Sequence, residues 1–358
     1  MDKHRHIVKV LSAIRQEVPT SFQVDENALE TAVSEDRYSA SGVAVWLLSI
    51  VGGLLGAITF LSFITMSGLN KSNFGMTLTG LLLIALSLLI KRIYNKPLTD
   101  TIGITFFGLG FILFGIGLGR YGIDQNLIPA ALMATGFLAL LLVQHFVFSL
   151  VSLLIIHVGA LNLLHSNKFY DGMYIYMILL ALALWYTCMA EAQILRAWPI
   201  CRRIYLPLRL AVLMAFLSVL IWSGIKDNIP VTGSLLSPAA LFLGLMVLMI
   251  FSKVINVLNI SRMNVKITVY TISLIVVFCC FKAPAIIGSM LAVLLCFFIN
   301  FRSGTVLSLI SLAAVVARYF YDINLSLPQK SGLLLLVGLV FILFYIFTNK
   351  FWKADEKV

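Results

Sequence analysis

One histidine, His157, stands deep inside an apolar run, in the stretch Leu153-Leu154-Ile155-Ile156-His157-Val158-Gly159-Ala160-Leu161. An imidazole takes up and releases protons near neutral pH and also binds ligands, so this position is a candidate proton relay or contact group. The plain alternative is a neutral ring bonded to a neighbouring helix, because an unpartnered polar group in an apolar medium is costly. Asn162, five positions further on, could serve as its partner in either case.

The remaining ionisable groups sit elsewhere. Outside the two terminal segments the acidic residues are Asp100, Asp124, Asp171, Glu191, Asp227 and Asp322, all at or near the ends of apolar blocks. A carrier that moves protons on a carboxylate would place one nearer the centre of a block. Glu191 closes one block and Arg209 opens the next, so a pair there could tie two parts of the chain together or line a vestibule. Arg318 and Asp322 stand four residues apart at the end of another block, at a depth comparable with Arg120 and Asp124. Together these four could close a gate or be solvated interface charges. Glycines are regular in one block: Gly103, Gly110 and Gly117 recur every seven residues, as do Gly108 and Gly115. Seven residues are nearly two helical turns, so each set lines a stripe where another helix can approach closely.

No catalytic, cofactor or metal site is expected. The cysteines Cys188, Cys201, Cys279, Cys280 and Cys296 show no CxxC spacing. There is no HExxH pair, GxSxG elbow or P-loop, so an enzyme is not expected.

The elements that position these residues follow from composition. The chain has 358 residues, 61% hydrophobic and 11% charged, with a mean hydropathy of +1.02. Soluble domains run nearer 45–50% apolar and about 25% charged. A hydrocarbon core about 30 Å thick needs roughly 17–25 helical residues. The apolar blocks predict an all-α polytopic transmembrane bundle of about 12 spans, near 43–66, 74–90, 99–118, 127–144, 147–164, 172–192, 207–223, 237–254, 265–281, 284–299, 304–320 and 331–348. As one helix, Leu127–Leu164 would be about 57 Å long, so it must reverse, and Gln144-His145 is its only polar break. Val265–Asn300 must likewise reverse near Lys282-Ala283-Pro284.

The net charge of +11 lies in short loops, with no basic helix and no aromatic-interleaved basic face, so nucleic-acid binding is not expected. With the N-terminus inside, the basic pairs Lys91-Arg92 and Arg202-Arg203 fall on the cytoplasmic side, as the positive-inside rule requires. Both termini are then cytoplasmic. No cleavable signal peptide is expected, since residues 1–42 are polar and the first long apolar run starts near Val43. Within that cytoplasmic segment Ile7, Val10, Leu11 and Ile14 recur at helical spacing and predict an interfacial or docked helix.

The chain divides into a first six-span half, 43–192, a second, 207–348, and a tail, 349–358. The halves look alike around Pro129-Ala130…His145…Ser152-Leu153 and Pro284-Ala285…Asn300…Ser308-Leu309. That likeness predicts a 6+6 parallel repeat about an axis along the membrane normal.

The most distinctive stretch is Arg318-Tyr319-Phe320-Tyr321-Asp322, followed by Leu325, Leu327, Lys330-Ser331 and Gly338. An aromatic cluster, a leucine-rich link and Lys-Ser opening a final apolar span resembles the bacterial membrane family catalogued as domain of unknown function 4401. Trp46-Leu47-Leu48, leading into a glycine-bearing first span, is similar too, while Pro328 departs from the leucine of that link. The resemblance implies a bacterial multi-pass membrane protein and carries no activity or catalytic residue. The expected setting is the cytoplasmic (inner) membrane, with the lipid bilayer as solvent. Two functions compete: permease-like transport of a small or lipid-like solute of unknown identity, and a non-transporting component that assembles with membrane protein partners in the cell envelope.

Overall fold

The computed structural model describes residues 52–53, 55–64, 66–93, 97–197, 201–224, 235–257 and 263–322, with a few positions between 326 and 342. The N-terminal segment 1–42 with its helical pattern at Ile7–Ile14, the start of the first span, most of the twelfth and the tail 349–358 lie outside the described residues.

Among the described residues all regular structure is helical. The order is α1 (Leu55–Ile64), α2 (Asn73–Ile93), α3 (Pro97–Gly119), α4 (Leu127–Leu142), α5 (Phe146–Ser166), α6 (Tyr170–Met189), α7 (Glu191–Ala197), α8 (Cys201–Ser223), α9 (Leu236–Val257), α10 (Met263–Cys279), α11 (Pro284–Phe298) and α12 (Arg302–Asp322). Seven of these are long and apolar enough to cross a membrane: α2, α5, α6, α9, α12 and the apolar parts of α3 and α8. Four more, α1, α4, α11 and the apolar part of α10, are apolar but shorter. Each of the first eleven expected spans is thus a separate helix, although α4, at 16 residues, reaches only about 24 Å.

The reversals have local causes. Val143 and His145 adopt extended backbone, which ends α4 and opens α5 without a glycine or proline. Pro284 begins α11, where its fixed φ suits the first turn and its missing N–H costs nothing. The expected sixth span, 172–192, ends early. Ala190 leaves helical geometry, and Glu191 starts the separate short helix α7, with its carboxylate at the positive end of the helix dipole.

The α5–α6 and α11–α12 turns share one construction. Lys168 and Asn300 take left-handed backbone, φ 51 and 56. The following Phe169 and Phe301 N–H groups donate to the carbonyls of Leu164 and Cys296, closing each preceding helix. Each phenyl ring then lies against a glycine three residues on. A Cβ on Gly172 or Gly304 would come within 2.2 Å of that ring.

Helix ends sort cleanly. The Asn73 side chain donates to the Arg120 carbonyl, and Asn126 and Asn167 bond each other through their amides. A cleft joins residues from Tyr174, Ser223, Lys282 and Asp322. The α1–α2, α3–α4, α5–α6, α8–α9, α10–α11 and α12 ends therefore share one end of the bundle. At the opposite end, Arg209 meets Glu191 and the Phe301 ring, and Lys253 meets Trp185. Strict alternation of consecutive long helices explains this sorting. The basic pairs Lys91-Arg92 and Arg202-Arg203 belong to the Arg209 end.

The glycine stripe has a definite partner. A Cβ on Gly110 would lie 2.9 Å from both the Ile84 N and the Gly80 carbonyl, and one on Gly117 would lie 2.7 Å from the Thr77 N. One on Gly103 would approach Phe148 at 3.3 Å. Gly103, Gly110 and Gly117 thus hold α3 against its neighbours, and at Gly110 and Gly117 the α2 backbone itself is the contact surface. The second stripe does not act as expected. Gly108 has nothing within 4 Å and Gly115 meets only the Leu132 side chain at 3.7 Å, because a residue two positions away on a helix points roughly 200° round.

Two cores result. Phe107, Phe111, Phe114 and Phe148, with Ile84 and Leu88, fill the space between α2, α3, α4 and α5. Met177, Leu184, Leu213, Phe216, Leu243, Ile250, Leu291 and Leu295 fill a larger one between α6, α8, α9 and α11. So α6, the last span of the first half by sequence, buries its inner face in the core of the second. The α4–α5 and α11–α12 hairpins are both closed. Around them, however, α2 packs on α3, whereas its repeat counterpart α9 packs chiefly on α11.

Candidate functional site

His157 lies near the middle of α5, 6% exposed, on the seam where α5 meets α6 and α8. Its Nδ1 is 2.8 Å from the Tyr176 hydroxyl and its Nε2 is 2.7 Å from Ser218 Oγ. Ser218 donates its only hydroxyl proton to the Ala215 carbonyl at 2.8 Å. It must therefore accept from His157, which fixes the proton on Nε2 and leaves Nδ1 to accept from Tyr176. The two rings also stack, with centroids 5.7 Å apart and planes 15° from parallel. Every polar atom of the imidazole is satisfied by a hydroxyl from another helix. Ser218 itself is exposed, so one edge of the cluster opens at the bundle surface.

Asn162 is not part of this cluster. It is exposed, and five residues along a helix turn it roughly 140° away from His157. Further along the same seam His165 meets Trp222 edge-on at 5.9 Å. The two contacts advance together along both helices, so α5 and α8 run parallel.

At the Arg209 end the structure brings the sequence-predicted pair together, Arg209 to Glu191 at 3.5 Å. Arg209 is 13% exposed and Glu191 50%. The guanidinium lies over the Phe301 ring at 4.3 Å. This makes a three-way clasp among α7, α8 and the α11–α12 turn, and Gly304 supplies the room that the phenyl ring needs. Buried Cys188 and Cys296 lie close by, with the Ser308 hydroxyl 3.8 Å from Cys296 Sγ. Arg209→Ala should lower the thermal midpoint of the purified protein by more than Glu191→Ala does. The arginine loses its buried stem and its cation–π contact, together about 1–3 kcal/mol, while the half-exposed ion pair contributes about 1 kcal/mol or less.

At the other end Arg318 and Asp322 form an ion pair one helical turn apart, at 3.3 Å, with the Asp322 side chain 12% exposed. Arg120 and Asp124 stand at the same end of the bundle, in the α3–α4 turn. Asp124 accepts the backbone N–H of Asn126 in its own turn, and the Arg120 carbonyl caps Asn73. Asp322 instead walls a cleft of about 130 Å3 with Tyr174, Ser223, Lys282, Pro284 and Tyr319.

Sequence reasoning missed Tyr176, Ser218, Tyr174 and Lys282. Hydroxyls at helical spacing in an apolar block look like packing residues. What assembles them is tertiary: the alternation of the helices places Tyr176 and Ser218 at one depth opposite His157. A lysine in a short turn likewise gives no sign that an aspartate lies across the bundle.

Apolar side chains face outward on almost every helix, Phe278 and Phe297 at 76% exposure and Leu142 at 62% among them. In water such a surface would aggregate, and in lipid it is solvated. A helical bundle with this surface and with its charges gathered at two ends is a multi-pass membrane protein. The chain belongs to the family described as domain of unknown function 4401, whose model matches residues 43–351. No curated protein and no solved structure matches it.

Proposed function

We propose that the protein is a permease-like carrier of a small solute that works at the seam between its two cores. The observation behind this reading is the His157–Tyr176–Ser218 cluster, a hydrogen-bonded polar group at mid-depth between two separately packed bundles. Carriers need such a place, since a polar group there can be exchanged for a solute when the bundles shift. Enzymatic chemistry is no part of the reading. Twelve passages, with the twelfth in 331–348, and a bacterial cytoplasmic membrane complete it. A parallel 6+6 repeat is the weaker element, supported by the two closed hairpins and not by the contacts around them.

In this reading the Arg209 end faces the cytoplasm, with both termini, and the cleft end faces out. A cysteine placed at Asp124 should then label with a membrane-impermeant maleimide in intact cells, and one at Arg196 should label only after lysis. The reverse pattern would invert the carrier. The activity itself is tested by comparing metabolites inside and outside cells that lack the protein with those of cells carrying it. A solute whose distribution changes and returns on complementation supports transport. An unchanged distribution, with the protein co-purifying in a defined membrane complex, favours the non-transporting envelope component.

A further inference from the structure

The exposed edge of the seam cluster has a bonding capacity that the cluster itself does not use. Ser218 takes part in two hydrogen bonds, accepting from His157 Nε2 and donating to the Ala215 carbonyl. A hydroxyl oxygen has two lone pairs, so one acceptor position remains. Helices α5, α6, α11 and α12 all pack on α8. Ser218, Ile221 and Trp222 are nevertheless exposed on it, as is Val158 beside His157 on α5. Trp222 is met edge-on by His165. Ser218 lies five residues before α8 ends at Ser223, about 8 Å along the helix axis. An acceptor at that depth meets hydrocarbon and not bulk water.

The surroundings set what can answer this acceptor. Phospholipid esters present acceptors of their own, and a charged amine or an anion would have to leave its water behind. A neutral O–H on an apolar body donates the missing hydrogen bond and lays its chain over Val158, Ile221 and the Trp222 ring. We propose that this face of α8 binds a lipid-soluble alcohol, its hydroxyl donating to Ser218 Oγ and its hydrocarbon lying along the lipid-facing edge of the α5–α8 seam. Where no water competes, one such bond favours the alcohol over the same chain without a donor. As a transported class this rests on the carrier reading, while the binding itself does not.

The test uses the full-length protein in phosphatidylcholine nanodiscs and a dodecanol that carries a photoactivatable diazirine in its chain. The result expected is a saturable adduct on the peptides around Val158 or Trp222. Unlabelled dodecanol should displace it at a concentration about tenfold or more below that needed with dodecyl methyl ether, which has no donor. Ser218→Ala should weaken labelling by about the same tenfold, and Ser218→Thr, which keeps the hydroxyl, should retain it. The ether comparison stands even where Ser218→Ala fails to fold. No saturable adduct on these helices, equal displacement by the ether, or unchanged labelling in Ser218→Ala would overturn the proposal. So would an efficient disulfide between two copies carrying Ser218→Cys, which would give this face to a second copy of the chain. The metabolite comparison separates this site from the carrier. Dodecanol binding without any metabolite shift keeps the site and removes the carrier, and a metabolite shift without dodecanol binding does the opposite.

Discussion

Gly110→Leu should leave almost no folded protein. The α2 and α3 backbones touch at this residue, and the first added atom would already lie 2.9 Å from the Ile84 N and the Gly80 carbonyl and 2.7 Å from Ile84 Cγ1. Backbone atoms in the middle of two helices cannot swing aside as a side-chain end can. The helices must separate, which also loosens Phe114 and Ile84 in the smaller core. A loss of about 3 kcal/mol or more follows, a large part of the stability of most proteins. Fluorescence size-exclusion of a tagged protein from solubilised membranes should show aggregate in place of a monodisperse peak. Gly108→Ala, where nothing lies within 4 Å, should shift stability by no more than about 0.5 kcal/mol. Similar profiles for the two variants would mean that α2 and α3 are not in backbone contact.

On the carrier reading, His157→Gln should keep the protein and remove transport. A glutamine amide can donate to Ser218 and accept from Tyr176, as the imidazole does through Nε2 and Nδ1. It cannot take up a proton. Membrane abundance and thermal midpoint should stay near wild type, while the metabolite shift of the deletion should persist. His157→Leu strands the Tyr176 hydroxyl and should lose up to about 1.7 kcal/mol, the upper range for hydrogen bonds between membrane helices. Ser218 loses less, since it keeps its bond to Ala215. Full activity in His157→Gln would reduce the histidine to a packing group.

Much of the fold was legible because its determinants are local. A run too long for the bilayer must reverse at its one polar break, and α4 and α5 do meet at Val143–His145. A proline opens a helix wherever it stands at its start. Which helix lies beside which is a different matter, because apolar residues in lipid gain nothing by choosing one apolar neighbour over another. The division into halves therefore placed α6 with the spans before it in sequence. Its small and well-fitted side chains, Ala181 and Leu184 among them, bury it instead with α8, α9 and α11. The candidate site shows the same boundary. His157 stood out as a lone imidazole among aliphatics, whereas its partners are ordinary hydroxyls given meaning by where three helices cross. Asn162 was near in sequence and lies on the wrong side of its own helix.

The position of α6 bears on how the protein is made. Chains are synthesised and inserted from the N-terminus. When α5 has emerged, the helices of the smaller core are all present. Helix α6 enters the bilayer next, but the surfaces that will cover Met177, Ala181 and Leu184 belong to α8, α9 and α11, and α11 ends only at Phe298. Helix α8, its main neighbour, is complete at Ser223, but the rest of that packing face waits toward lipid or a membrane chaperone until α9 and α11 follow. A ribosome that stalls in that interval leaves an intermediate whose early helices are complete and whose sixth is available to the wrong neighbour.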